Sequence, residues 1–165
     1  MDRDLFWKFS LKFYSDPAVA EICLDLQDRY ASDVNVLLFV LWCASRDRRL
    51  SLPELKRVTA SVAGWQSAVV GPLRGVRRSL KQFAADLALE PISTLREAVK
   101  KQELESERLQ QSFMEAGFDD IGAPSSDRAA TASENLELYA NLAGEVFPSA
   151  HVKALVERLQ AIRQD

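Results

Sequence analysis

Four basic side chains recur along one predicted helix at a spacing that places them on a single face. Residues three or four positions apart are neighbours on an α-helix, and apolar residues take the opposite side of this one. Arginine can bind phosphate oxygens in a bidentate geometry, so such a group could engage nucleic acid, a nucleotide or an anionic lipid. We name this predicted anion-binding or partner-binding site the basic face: Arg74, Arg77, Arg78 and Lys81.

A second interpretation leaves the basic face without a ligand. The next predicted helix is acidic, and it could fold back so that its carboxylates pair with the basic face, or the basic face could be solvated. Charge runs are weak evidence for function, because most of them are solvated or paired surfaces. Both interpretations stay open, and the acidic residues concerned are Glu97, Glu103, Glu105 and Glu107.

Nucleophilic catalysis of the Ser-His-Asp or Cys-His type would have to use His151, which is the only histidine of the sequence. It lies in the first turn of the last predicted helix, and no partner for it is identifiable from the sequence. That position is typical of a capping or surface histidine. We find no catalytic constellation, and the sequence favours a protein without enzymatic activity.

Two pairs of carboxylates lie one helical turn apart, Asp25 with Asp28 and Glu103 with Glu107. Helical diiron proteins need a Glu-x-x-His on each of two helices, which one histidine cannot supply. An Asp-x-x-Asp pair, as in magnesium-dependent isoprenoid enzymes, is a closer match, but it stands alone beside Arg29. We therefore interpret the pairs as solvated helix faces and predict no metal and no cofactor.

The cysteines and tryptophans have structural interpretations. Cys23 and Cys43 lie in apolar helical patterns without Cys-x-x-Cys spacing, which favours thiols in a reducing compartment. Trp7, Trp42 and Trp65 each fall on an apolar face at helical spacing. We expect them to pack in the core and not to form a ligand-stacking cage.

Composition indicates one folded domain with an uneven charge distribution. The 165 residues are 47% hydrophobic and 27% charged, which is typical of a globular chain. The net charge is −3, yet residues 46–81 hold nine basic and two acidic side chains. The acidic balance, with a pI of about 5.3, and the lack of aromatic residues on the basic face disfavour nucleic acid as a partner.

The sequence contains no segment that could span a membrane. Its longest apolar run, residues 36–44, is nine residues long, whereas a span needs about 20. The amino-terminal residues are too acidic and too aromatic for a signal peptide. We expect a cytoplasmic protein.

Capping signals and apolar periodicity predict the first helices. Residues 4–14 read as a short aromatic helix, and Asp16 before Pro17 starts a second one. Ser32 or Asp33 can cap a third, apolar on all sides. A capping box of Ser51 and Glu54 opens a long pattern, which Gly71 and Pro72 are expected to break or kink into two helices that pack along one seam.

The later helices and the domain organisation follow from the same signals. Thr94 and Glu97 form a capping box for a helix that ends near residue 116, with a weak apolar stripe of Leu95, Val99, Leu109 and Phe113. The sequence therefore predicts an all-α single-domain bundle of about seven helices: a helical core over residues 1–116, a flexible linker over 117–131, and a helical hairpin over 132–165 that packs on the core.

The chain contains five blocks in a characteristic order between residues 4 and 115: FWKFSLKFY, CLDLQDRY, DVNVLLFVLW, WQSAVVGPLRGVRRSLK and KKQELESERLQ. With these blocks it resembles an uncharacterised family of small bacterial, mainly proteobacterial, helical proteins. The resemblance implies a cytoplasmic helical protein and supplies no catalytic or ligand residues. Residues 117–165 match it less clearly.

Three functional hypotheses remain at this stage. The first is an interaction or regulatory protein whose basic face and helix 94–116 bind an acidic or phosphorylated partner. The second is a binder of, or an enzyme acting on, an anionic apolar ligand of isoprenoid or acyl type, held in a cavity between the aromatic helix, the central helix and Trp65. The third is a homo-oligomer formed through the apolar stripe of residues 95–113.

Overall fold

The computed structural model describes residues 4–87 and 89–162, and most of these are helical. Because α4 and α5 belong to one continuous helical run, the described residues form seven helical segments, and the predicted all-α bundle is confirmed. The helices are α1 (Leu5–Tyr14), α2 (Pro17–Arg29), α3 (Val34–Ser45), α4 (Leu52–Trp65), α5 (Gly71–Leu87), α6 (Glu90–Glu115), α7 (Arg128–Leu142) and α8 (Ser149–Ala161).

Three helices begin at the caps that the sequence predicts. The Asp16 carboxylate accepts a hydrogen bond of 2.9 Å from a backbone N–H of α2, and Asp33 does the same at 2.9 Å for α3. Ser51 and Glu54 form the expected capping box at the start of α4. Each cap satisfies backbone donors that the first helical turn leaves without a partner.

Helix α3 lies at the centre of the molecule. Eleven of its twelve residues are buried, as expected for a helix that is apolar on all sides. The ring of Phe6 on α1 stacks on Trp42 at a centroid distance of 5.1 Å and meets Phe39 edge-on at 5.5 Å. On the other side α3 packs against α7, so the core contains residues from both the amino-terminal and the carboxy-terminal parts of the chain.

The predicted division at Gly71 and Pro72 into two helices packed along one seam is wrong, because α4 runs into α5 without interruption. Between them the backbone makes one wide π-helical turn, Gln66–Val70, and the Gly71 N–H bonds to the carbonyl of Gln66 five residues back. In a regular helix the proline ring would clash with the carbonyl four residues earlier. The wide turn directly before Pro72 accommodates the ring, so the helix continues.

Helix α6 begins earlier than its predicted capping box. It starts at Glu90 with Pro91 in its first turn, so Thr94 and Glu97 lie inside the helix. Proline suits a first turn because its φ is already helical and its missing N–H has no partner there. Ion pairs join Arg74 to Glu107 and Arg77 to Glu103, so α5 and α6 are antiparallel neighbours.

The buried side of α6 is the polar one, which corrects the predicted apolar stripe. Leu95 is 53% exposed and Phe113 48% exposed. Other residues of α6, at helical spacing, are buried in the core, and most of their side chains carry hydrogen-bonding groups. These buried residues are Glu103, Ser106, Gln110, Gln111 and Met114.

Residues 117–131, predicted as a flexible linker, make ordered contacts with the core. A short strand β2 (Ala123–Pro124) pairs antiparallel with β1 (Arg48–Arg49), and helix α7 already begins at Arg128. Gly122 has a φ of +79° and its N–H donates to Glu54, while a Cβ there would lie 2.8 Å from that of Arg48. Only glycine fits this approach without strain. The mobility of the segment stays a prediction.

The predicted carboxy-terminal hairpin is formed by α7 and α8. Asn135 fastens α7 to the core, because its side chain bonds the N–H of Leu50 and the carbonyls of Val40 and Arg48 at 2.9–3.1 Å. Residues 1–3 and 163–165 of the predicted domain ranges lie outside the described residues. Within the described ranges, none of the helices combines the length and the apolar character that crossing a bilayer requires.

Candidate functional site

A cavity of about 480 Å³ lies between α1, α2, α3, α5 and α6. Its volume falls within the range of about 300–1,000 Å³ that is usual for small-molecule sites. One wall is apolar and comes mainly from α1, α2 and α3. Its side chains are Trp7, Leu11, Tyr14, Leu24, Val34 and Leu38, with Leu104 added from α6.

The three tryptophans differ in environment. Trp42 is 3% exposed in the core, as predicted. Trp65 is half-buried; its indole N–H donates to the carbonyl of Ser106 at 2.9 Å, and its ring meets Phe113 edge-on at 5.4 Å. Trp7 lines the cavity, so for this residue the expectation of a core position is not met.

The opposite wall of the cavity carries the basic face, and all four of its residues line the space. Two of them are paired with α6. Arg74 bonds Glu103 at 3.1 Å and Glu107 at 2.7 Å, while the Nε and Nη2 groups of Arg77 both donate to the Glu103 carboxylate. The internal pairing that the sequence left open therefore exists for these two arginines. It does not extend to the whole basic face.

The two glutamates respond oppositely to this environment. Burial favours a neutral Glu103, but hydrogen bonds from Arg77 and Arg74 outweigh it and hold the pKa of its carboxyl below the ordinary value. Burial raises the pKa of Glu107, and Arg74 offsets that effect only in part. This carboxylate pair is part of a buried ion cluster, so its interpretation as a solvated face is wrong.

The rest of the basic face is more open. Arg78 contacts Asp28 at 3.1 Å, with both side chains more than half exposed. Lys81 has no ion pair within the described part of the chain.

Two more cations line the cavity from α6, Arg96 and Lys100, and the sequence analysis missed both. They precede Glu103 by seven and three positions, so the helical period alone places all three on one face. That signal was present in the sequence, but the surrounding glutamates made the segment read as acidic.

A chain of buried amides forms the floor of the cavity. Ser10 donates to Gln111 at 2.8 Å, Gln111 to Asn35 at 2.8 Å, and Asn35 to Gln110 at 2.9 Å. Gln110 then donates to the Asp33 carboxylate at 2.7 Å. Asn35 is therefore a buried polar residue whose side chain joins α3 to α6. Ser10, Asn35 and Gln111 face the cavity.

The carboxylate Asp33 ends this chain and has a raised pKa, because burial outweighs the hydrogen bonds from Gln110 and α3. On its other side the backbone N–H of Asp33 donates to the hydroxyl of Tyr139 on α7 at 2.8 Å. The floor thus links the cavity to the helix that packs behind α3.

His151 is not unpartnered, contrary to the expectation from sequence. Its Nε2 lies 2.9 Å from the Asp25 carboxylate, and this hydrogen bond is the main cause that lowers the pKa of Asp25. Asp25 also contacts Arg29 at 3.4 Å. The pair joins α8 to α2 on the surface, away from the cavity lining.

The geometry gives little support to chemistry at a cysteine thiol or at a bound metal ion. Cys23 and Cys43 are both buried free thiols, and burial raises the pKa of Cys23 to about 12. Across residues 4–87 and 89–162, no three His, Cys, Asp or Glu side chains come together in a way that could hold a metal ion.

Comparisons with known proteins extend the description of the chain in one respect. A family model described as "Protein of unknown function (DUF2390)" matches residues 5–114. Every residue that lines the cavity lies inside this range. Searches of the curated proteins and of the solved structures give no match.

Proposed function

The chain belongs to the family of proteins of unknown function (DUF2390), and from the geometry of its cavity we propose that it binds a small amphipathic anion. The ligand has an apolar part that lies against α1, α2 and α3 and an anionic part that lies against α5 and α6. This is the second of the three hypotheses, and it concerns binding without a reaction.

The observation that carries the proposal is the composition of the cavity wall. Six cationic side chains and two carboxylates line it, an excess of four positive charges, and apolar side chains, most of them from α1, α2 and α3, line the same space. Cations gathered around a partly enclosed space are costly, because each interacts with its neighbours at reduced dielectric. An anion between them relieves that repulsion, and an attached apolar group covers the exposed parts of Leu11 and Leu24.

Binding of an acidic protein partner is less well supported. Arg74 and Arg77 are only 16% and 24% exposed, and their guanidinium groups already contact carboxylates. A flat protein surface could reach only the exposed cations Arg78, Lys81 and Lys100, whereas a small molecule in the cavity could also reach Arg96, which is 26% exposed. Exposed ion pairs of that kind contribute about 0–1 kcal/mol each, which is little for a specific partner.

The proposal is tested by thermal unfolding with three probes that share one tail: octyl phosphate, octanoate and octyltrimethylammonium. An anion at a concentration about 100 times its Kd stabilises the folded chain by about 2.7 kcal/mol, which raises the Tm by about 5–10 °C at this size. We expect this for at least one of the anions and not for the cation. No shift with either anion, or an equal shift with the cation, contradicts the proposal.

A matched pair of variants places the binding in the cavity. Leu104→Trp adds a large ring to a side chain that lines the cavity, and Leu95→Trp adds the same ring to the same helix outside it. Both leucines are about half exposed, 48% and 53%, so neither change should unfold the chain. We expect Leu104→Trp to weaken binding at least tenfold and Leu95→Trp to leave it unchanged. Equal effects of the two variants would show that the ligand does not bind in the cavity.

A further inference from the structure

The cationic wall of the cavity divides into two parts along the seam between α5 and α6. In the inner part, Arg74 and Arg77 are neutralised by Glu103 and Glu107. The outer part lies nearer the end of α5 and the beginning of α6. We name it the outer cluster: Arg78, Lys81, Arg96 and Lys100.

The antiparallel arrangement brings the members of the outer cluster to the same end. The contact between Arg77 and Glu103 fixes the register. One helical turn onward from Arg77 on α5 is Lys81, and one turn back from Glu103 on α6 is Lys100, so lysine faces lysine where the inner part has arginine facing glutamate. All four cations of the outer cluster line one cavity.

Compensation of the outer cluster by the protein is incomplete. Arg78 has Asp28, which is 56% exposed, and Arg96 and Lys100 share Glu97, which is 61% exposed and 3.9 Å from the Lys100 ammonium. The Nε of Arg96 is buried and has no hydrogen-bond partner in the described residues. A buried donor without an acceptor is rare, and it adds to the incomplete compensation of the outer cluster.

We propose that the outer cluster is the head-group subsite of the cavity and that it takes an organic phosphate. This inference rests on the proposed function and adds to it the position and the class of the anion. A phosphate monoester carries up to two negative charges and three acceptor oxygens near neutral pH, whereas a carboxylate carries one charge and two oxygens. Two arginine forks and two ammonium groups match the phosphate better.

The inner part excludes the head group for the same electrostatic reason. Its arginines are already bonded to carboxylates, and Glu103 keeps its charge, so a second anion there would meet repulsion. The ester substituent then lies toward Trp7, Leu38 and Leu104 on the apolar wall. The orientation of the ligand is thereby fixed, with the charge at the outer end.

The test compares two double variants by isothermal titration calorimetry with octyl phosphate, octanoate and octanol. Lys81→Ala with Lys100→Ala removes half of the outer cluster. Lys56→Ala with Lys101→Ala removes two exposed lysines that lie outside the cavity lining, with the same change in net charge. We expect the first variant to raise the Kd for octyl phosphate at least tenfold, and the Kd for octanoate by a smaller factor. The second variant should change either Kd less than twofold.

The outcomes separate this inference from the proposed function. If the wild-type chain binds none of the three probes, both fall. If it binds octanoate as tightly as octyl phosphate, or if the first variant binds octyl phosphate like the wild type, the head-group subsite is wrong and the proposed function stands. If it binds octanol as tightly as octyl phosphate, no anion is required and both are wrong. Removing two like charges should not lower the Tm, and Lys81→Arg with Lys100→Arg should restore binding, so loss of fold cannot imitate the expected result.

A phosphate ester can be free in solution or part of a membrane lipid. Sedimentation with vesicles that contain phosphatidic acid in phosphatidylcholine tells the two sources apart. Sedimentation that is lost in Lys81→Ala with Lys100→Ala assigns the subsite to a lipid head group. Calorimetric binding of octyl phosphate without sedimentation assigns it to a soluble ester, and either result supports the subsite.

Discussion

Helices α3 and α5 both lie against α6 and both line the candidate cavity, yet they are held in opposite ways. Eleven of the twelve residues of α3 are buried. All seventeen residues of α5 are described, and none of them is buried. Apolar packing holds α3 from every side. Helix α5 depends on Arg74 and Arg77, on its partner α6, and on its continuity with α4.

The difference explains where a binding site can form in this protein. Dense packing tolerates little change in shape, so α3 supplies a fixed floor and an apolar wall. A helix held by ion pairs and few buried contacts opens at a lower cost in free energy, so we expect α5 to be the more mobile wall of the cavity. The exposed Phe83 and Leu87, both at 55%, belong to this loosely held part.

The largest contrast is expected from removing one phenylalanine ring in each helix. Phe39→Ala in α3 deletes a ring that contacts Phe6 and Trp42, and we expect it to cost about 3–5 kcal/mol of unfolding free energy. Phe83→Ala in α5 should cost about 0.5 kcal/mol or less, since the ring is half exposed. Urea denaturation followed by circular dichroism measures both. Similar losses would contradict the comparison.

The next largest effect concerns the carboxylate that holds α5. Glu103→Gln leaves two arginines without a full counter-charge, and breaking a buried ion pair costs about 3–5 kcal/mol. Because the arginines are 16% and 24% exposed, water lowers this to about 2–3 kcal/mol. Hydrogen exchange should accelerate in α5 and stay unchanged in α3. The control Glu105→Gln, at a side chain 52% exposed, should change neither quantity.

A smaller loss is expected when the amide floor is interrupted. Gln110→Leu leaves an Asn35 amide and an Asp33 oxygen without their partners, and a buried group of this kind costs about 1–3 kcal/mol. Gln102→Leu makes the same change on the exposed side of α6 and serves as the control. Chemical denaturation of the two variants in parallel gives the difference. Equal stability would show that the floor contributes no net free energy.

The smallest effects are pH dependences, and they should have opposite signs for two glutamates of α6. The pKa of Glu107 is raised by burial, so its contribution to stability is present below the ordinary value of 4.5 and is lost as the pH rises through its folded pKa. The pKa of Glu103 is lowered by its arginines, so its contribution is present above 4.5 and is lost as the pH falls through its folded pKa.

The variants Glu107→Gln and Glu103→Gln test these two opposite pH dependences of stability. Relative to the wild-type chain, Glu107→Gln should gain stability as the pH rises from 4.5, and Glu103→Gln should gain stability as the pH falls below 4.5. Denaturation midpoints at several pH values test both expectations. A common sign for the two variants would contradict the assigned environments.

Local sequence accounts for the positions of most helices. Asp16, Asp33 and Ser51 cap helices where the capping rules place them, because the donors that they satisfy lie within three residues along the chain. The apolar run of α3 predicts its central position for a similarly direct reason. The basic face also follows from local spacing, since helical geometry alone places its four cations together.

Sequence did not predict which side of α6 is buried, because burial of a polar group depends on a hydrogen-bond partner that is distant in the sequence. From the sequence alone Gln110 and Gln111 resemble surface residues. Their buried positions depend on hydrogen bonds with Asn35, which lies 75 and 76 positions away in the chain. The same holds for His151 and Asp25, which are 126 positions apart. Hydrophobic periodicity instead pointed to Leu95 and Phe113, which lie on the exposed side.

The sequence by itself determined the helical class, the caps and the basic face, because each depends on interactions within one or two helical turns. The tertiary structure alone decided that Glu103 and Glu107 neutralise two of the six cations in the wall, Arg74 and Arg77. It also decided that the other four, Arg96 and Lys100 among them, line the same cavity as the apolar side chains. The pairing of α5 with α6, and the packing of both against α1, α2 and α3, set that division. Charge compensation depends on distances in space, and residues far apart in the sequence supply both the charges and the cavity.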